Sequence, residues 1–189
     1  DGIRDYCASR GLGDVYQRQS ITIASDLVEV QNVVDTVFGD MSSKVEEYAQ
    51  NSIKQLGMSE LSFKQYASRF QAMGSAMGID TSSIENANSF LNKATNGYVG
   101  LSNSMADVSL TLTQLTADMA SFYNVSQKDV AEDLSAIFTG ETRPLRTYGL
   151  DLTQATLAEW AMKNGLDANV KSMSQAEKTM LRYQYVLAN

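Results

Sequence analysis

The side chains that could do chemistry here are carboxylates, tyrosines, lysines and one thiol, because the sequence contains no histidine. Without an imidazole, no Ser-His-Asp or Cys-His nucleophile set can be assembled. General acid–base work would fall to carboxylates, Lys or Tyr. The acidic candidates are Glu46 with Glu47, Glu132 with Asp133, and Glu141. Two carboxylates flanking a sugar bond could hydrolyse it. Neighbours on a helix, however, point about 100° apart and face water, so neither adjacent pair makes a natural dyad. No catalytic residue and no enzyme activity are expected.

Cys7 is the single cysteine, which leaves no intrachain disulfide and no Cys/His zinc set. It reads as a free thiol without functional consequence, and neither a metal nor a cofactor is expected. Gly11-Leu-Gly13 has the look of a phosphate loop, but no Lys-Ser/Thr or dinucleotide fingerprint follows a strand. It is a turn. Gly74 and Gly78 are spaced for a close helix crossing followed by a C-cap. The methionines lie mostly on apolar stripes, where core filling is a commoner use than an adaptable binding surface. Between Gly140 and Gly149, Pro144 suits the first turn of a short helix. That elbow either presents Arg143 and Arg146 to a partner or links two longer helices, and the linking role is preferred.

These residues must be positioned by helices. Proline occurs once, and apolar residues recur at three and four. Leu27, Val30, Val33, Val34, Val37 and Phe38 mark one face, with Asp26 and Glu29 in capping-box spacing and Gly39 as the stop. Ser43 with Glu46 opens a second helix with a stripe of Val45, Tyr48, Ala49, Ile53 and Leu56. Ser62 with Gln65 opens a third through Phe63, Tyr66, Ala67, Phe70, Met73 and Met77. Ser82 with Glu85 opens a fourth, reaching Ala94 before the Asn96-Gly97 turn. A longer stripe runs Leu101, Met105, Val108, Leu112, Leu115, Met119 and Phe122. Ser126 with Asp129 caps a helix carrying Val130, Leu134, Ile137 and Phe138, which ends at Gly140. Thr156 and Glu159 lie in a further helix with Leu157, Trp160 and Ala161. Ser174 with Glu177 opens the last, with Met180, Leu181, Tyr183, Tyr185 and Leu187. Ile21-Thr-Ile23 is the one hint of a strand, too short to pair. The expected fold is all-α, a compact bundle of about seven to nine short amphipathic helices.

Lys and Arg number 15 against 22 Asp and Glu, a net charge of −7. Such a chain has no general attraction for a phosphate backbone, so tight DNA binding is disfavoured. DNA could still pass it without being gripped. No run approaches the ~20 apolar residues of a membrane span, and the first residues lack the pattern of a signal peptide. The segment up to Ser20 carries Arg4, Arg10 and Arg18 against Asp1, Asp5 and Asp14, so it is neutral and not a basic arm.

The run from Leu115 to Leu152, LTADMASFYNVSQKDVAEDLSAIFTGETRPLRTYGLDL, resembles the core segment of phage tail tape measure proteins. Three other blocks resemble that family in the expected order. They are SDLVEVQNVVDTVF from Ser25, LGMSELSFKQY from Leu56, and KSMSQAEKTMLRY from Lys171. The resemblance divides the chain into an unassigned segment, 1–24, and a helical tape measure core region, 25–189. It implies a structural virion protein that occupies the tail lumen, sets tail length in assembly and takes part in DNA ejection. It implies a homo-oligomer, a trimer, meeting tail tube and tail tip or baseplate proteins. Viral DNA would be touched only transiently, and host membrane only through other parts of a longer parent. Its place would be inside the tail, and the host cytoplasm during assembly. The rival readings are a cell-wall hydrolase fragment, a membrane-active helical module, or the equivalent chain of a phage-tail-like bacteriocin. With no initiator Met and a length short for the family, the chain is expected to be a piece.

Overall fold

Small polar residues at helix starts and glycines at helix ends set the punctuation of this chain, though not always at the residues the spacing picks out. The computed structural model describes residues 22, 24–80, 84–85, 104–141, 143–165 and 170–189. Helix α1 covers 24–38, and a 3-10 turn at Gly39–Met41 leads into α2, Ser42–Leu56. Then come α3 (Glu60–Ala76), α4 (Met105–Tyr123), α5 (Gln127–Leu134) and α6 (Ala136–Thr139). A second 3-10 turn, Pro144–Tyr148, precedes α7 (Gln154–Lys163) and α8 (Gln175–Ala188). The described residues contain no strand, and the single helix expected from Ser126 to Gly140 is broken at Ser135 into α5 and α6. The fold is all-α.

Ser126 caps α5 as expected, accepting from the Asp129 N–H at 3.1 Å. Ser174 and Glu177 close a reciprocal capping box on α8, with bonds of 3.2 and 2.7 Å. Elsewhere the starts shift. Ser59, not Ser62, caps α3, because its hydroxyl takes the Ser62 N–H at 3.1 Å. Asp26 is inside α1, which is already helical at 24, and Ser43 is inside α2. The 3-10 turn feeds α2 directly, so its start has no side-chain cap. Loss of a serine cap costs about 1 kcal/mol. Ser174→Ala should lower the unfolding free energy by that amount in a urea titration, because α8 carries the buried Met180, Leu181 and Tyr183.

Helix α4 sits between two apolar clusters. Val108, Leu112 and Met119 face the larger, with Phe70, Leu134, Ile137, Phe138, Leu145, Leu157, Leu181 and Tyr183. Ala106, Leu110 and Ala117 face the other, with Val34, Phe38, Val45, Ala49, Phe63 and Ala67. A helix walled on two sides buries more than one stripe. Its buried hydroxyls on Ser109, Thr113 and Thr116 donate to carbonyls one turn back, each at 2.8 Å, so none is left unsatisfied. Helix α3 packs along α4 where Gly74 leaves room. A Cβ there would come within 2.3 Å of Met105 Sδ, and Gly78 then turns the chain at φ 71°. The expected tight crossing and C-cap are both present.

Leu134, Ile137 and Phe138 are buried together, and Trp160 packs edge-to-face on Tyr185 at 5.6 Å, as expected. Met58, Met105, Met119 and Met180 are in the core, while Met162 is exposed. Four stripe residues are corrected: Val33, Tyr48, Ile53 and Phe122 are exposed, Phe122 to 82%. On α2 the inward position next to Ile53 is taken by Ser52. Its one O–H is shared between Ala49 O at 2.6 Å and Met58 O at 2.9 Å, which fastens the α2–α3 loop. Leu101, most of the expected Ser82–Ala94 helix, the Asn96-Gly97 turn, Cys7, Gly11 to Gly13 and residues 1–20 lie outside the described residues. Thr22 is helical, so the short strand hint is not realised there. Among the described residues no helix is long and apolar enough to cross a membrane.

Candidate functional site

The elbow around Pro144 is held from both sides. Pro144 occupies the first position of its 3-10 turn, and Leu145 beside it is fully buried. Tyr148 donates from its hydroxyl to Asp133 Oδ2 at 2.8 Å. Burial first, then that carboxylate, push the phenol up to about 12, so it remains a protonated donor. Tyr123 donates to the Tyr148 carbonyl at 3.0 Å, with the two rings edge-to-face at 5.0 Å. Upstream, Gly140 ends α6 at φ 77°, a conformation that disfavours side chains. Arg182 of α8 donates to Ile137 O at 3.1 Å, placing a cation by the last carbonyls of α6. Arg143 and Arg146 are exposed, and Arg146 meets Asp151 directly at 3.4 Å on the surface. An ion pair so exposed adds little. The elbow's inward residues lock α5 to the turn, which favours its linking role.

The carboxylates do not converge. Glu47, Glu132 and Glu141 are exposed. Asp133 is engaged by Tyr148. Glu46 lies 2.6 Å from Lys64, whose ammonium is also 2.6 Å from Glu60. These are structural partners, and no adjacent pair faces a common space where a substrate could sit. Lys44 of α2 pairs with Asp107 at the start of α4, which ties the two helices and raises the Lys44 pKa. Among the described residues no three His, Cys, Asp or Glu side chains are grouped to hold a metal ion.

One concave feature stands apart from the sequence candidates. A cleft of about 190 Å³ lies between the end of α6, the start of α7 and α8. Leu152, Leu157, Val170 and Leu181 form its apolar lining, with Lys178 and Arg182 on its polar side. Neither cation stood among the candidates read from the sequence. Their signal was an i, i+4 pair of like charges on one helix face, in a chain with excess acid. The apolar wall comes from three separate segments, which no spacing rule could join.

Comparison with known protein families, with curated proteins and with solved structures finds no match to this chain.

Proposed function

We propose that this chain is the core region of a phage tail tape measure protein. In that reading its parent is the structural virion component of the tail lumen that sets tail length in assembly and takes part in DNA ejection. The observation that carries the reading is the Leu115–Leu152 run. That run supplies much of α4, all of α5 and α6, and the elbow, including the buried Leu134, Ile137, Phe138 and Leu145. The longest block that resembles the family supplies many residues of the larger cluster, and the blocks from Ser25 and Leu56 supply Val34, Phe38 and Phe63 of the other. The net charge of −7 agrees with a lining that lets DNA pass without gripping it. In this reading the chain acts as a trimer with tail tube and tip proteins, and reaches the host membrane only through other parts of its parent.

The segment is a folded module of the tape measure and not its ruler. A straight helical ruler lengthens by about 1.5 Å per residue. The longest described helix has 19 residues, and successive helices fold back on one another. Deleting residues 25–189 from the parent should therefore disturb tail assembly or DNA delivery out of proportion to length. Infectious particles with tails shortened in strict proportion would overturn the module reading. Purified protein should leave cell-wall suspensions turbid and anionic vesicles sealed. Clearing that is lost in Glu132→Gln or Glu141→Gln would favour a wall hydrolase, and vesicle leakage a membrane-active module. Neighbouring genes separate a phage from a tail-like bacteriocin.

A further inference from the structure

We propose that the cleft between α6, α7 and α8 is a binding site for a small monocarboxylate with a short apolar body. Lys178 and Arg182 stand one turn apart on α8, and both line the cleft. Like charges at that spacing repel each other. Neither makes an ion pair with a carboxylate of the described residues. That is notable in a chain with 22 acidic against 15 basic residues. Arg182 is buried enough for desolvation to pull its pKa down. One guanidinium nitrogen, Nη1, is used on Ile137 O, and a guanidinium has five N–H donors in all. An incoming carboxylate would neutralise the pair and take the fork in a bidentate contact.

The opposite wall sets the rest of the ligand. Leu152, Leu157, Val170 and Leu181 line it, and although each is buried to 95% or more, the narrow edges that face the cleft are apolar. The volume of about 190 Å³ is that of roughly six water molecules. It falls below the ~300 Å³ at which pockets for drug-sized ligands begin. A nucleotide or a polyanion would not fit, and a free phosphate would leave the apolar wall unused. A short-chain or aromatic acid uses both halves.

The test uses the full 189-residue chain and sodium hexanoate, with hexanol and inorganic phosphate as matched probes. Hexanoate should bind saturably at one site and shift the methyl resonances of Leu152, Leu157 and Leu181. Hexanol should bind about ten-fold more weakly, because it lacks the charge-assisted contact. Lys178→Gln should weaken hexanoate by a similar factor. Gln154→Trp, at an exposed residue on the mouth, should abolish binding by filling the cleft. Arg182 also holds Ile137 O, so its replacement is not the deciding variant. Hexanoate binding no tighter than hexanol, phosphate competing as well as hexanoate, or methyl shifts outside the cleft would each overturn the proposal. So would undiminished binding in both folded variants. The wild-type comparison decides alone if either variant fails to fold.

Discussion

Phe138→Ala should lower the unfolding free energy by about 3–4 kcal/mol, in the upper part of the range for single substitutions. Phe138 is 1% exposed and stacks on the fully buried Phe70, with ring centroids 6.2 Å apart. It belongs to α6, which has only four residues and cannot hold itself by backbone bonds alone. Its position depends on packing, so truncation removes both transfer energy and the contact that fixes the elbow's approach. At ~2–4 °C per kcal/mol for a chain of this size, the melting temperature should fall by about 10 °C. Phe122→Ala supplies the contrast. Phe122 is 82% exposed at the end of α4, so the same replacement should stay within about 0.5 kcal/mol. Equal effects at the two positions, or no shift for Phe138→Ala, would show that the α3–α6 contact is wrongly assigned.

That contrast also shows how much of the fold was legible. The sequence put Phe122 and Phe138 alike on buried stripes, because periodicity reports a face and not where the neighbouring helices stop. Helix existence, the Ser126 and Ser174 caps and the Gly74–Gly78 crossing were readable, since each depends on residues a few positions apart. The second buried face of α4 was not. It is built from Ala106, Leu110 and Ala117 with hydroxyls between them, and its meaning comes from α2 and α3 packing against it. Ser52 in place of Ile53 was hidden for a related reason. A serine turns inward only because the Met58 carbonyl is there to receive it. The cleft was the least legible feature, as its wall joins residues near 152, 170 and 181 that only the tertiary fold brings together.

Lys64 should show an asymmetry that a simple count of ion pairs would miss. Its side chain is 4% exposed and lies 2.6 Å from both Glu46 of α2 and Glu60 of α3. The two carboxylates are about a third exposed, at 33% and 36%. Removing the acids strands a buried cation, whereas removing the cation leaves two acids that are each about a third exposed, although Glu46 Oε2 itself is covered. Glu46→Gln with Glu60→Gln should therefore cost about 3 kcal/mol, near the lower end for breaking a buried pair. Lys64→Met keeps the packed stem and should cost less than half of that.

The pH dependence follows from the signs. Contact with Lys64, opposed by burial, holds the Glu46 carboxyl below its ordinary 4.5 in the folded state. Its contribution is present above that ordinary value and is lost as pH falls through the lower folded one. For Lys64, burial is the largest single influence and pulls its pKa down, but Glu46 and Glu60 together outweigh it and leave it above 10.5. That contribution is present below 10.5 and is lost as pH rises through the higher folded value. Exposed carboxylates such as Glu159 and Glu177 are also lowered, so acid weakens every variant to some extent. The difference between wild type and Lys64→Met isolates the cluster. Chemical denaturation should show that difference steady from about pH 6 to 9 and shrinking toward about pH 3. Parallel curves down to acid would mean that the three charges do not act together in the folded chain.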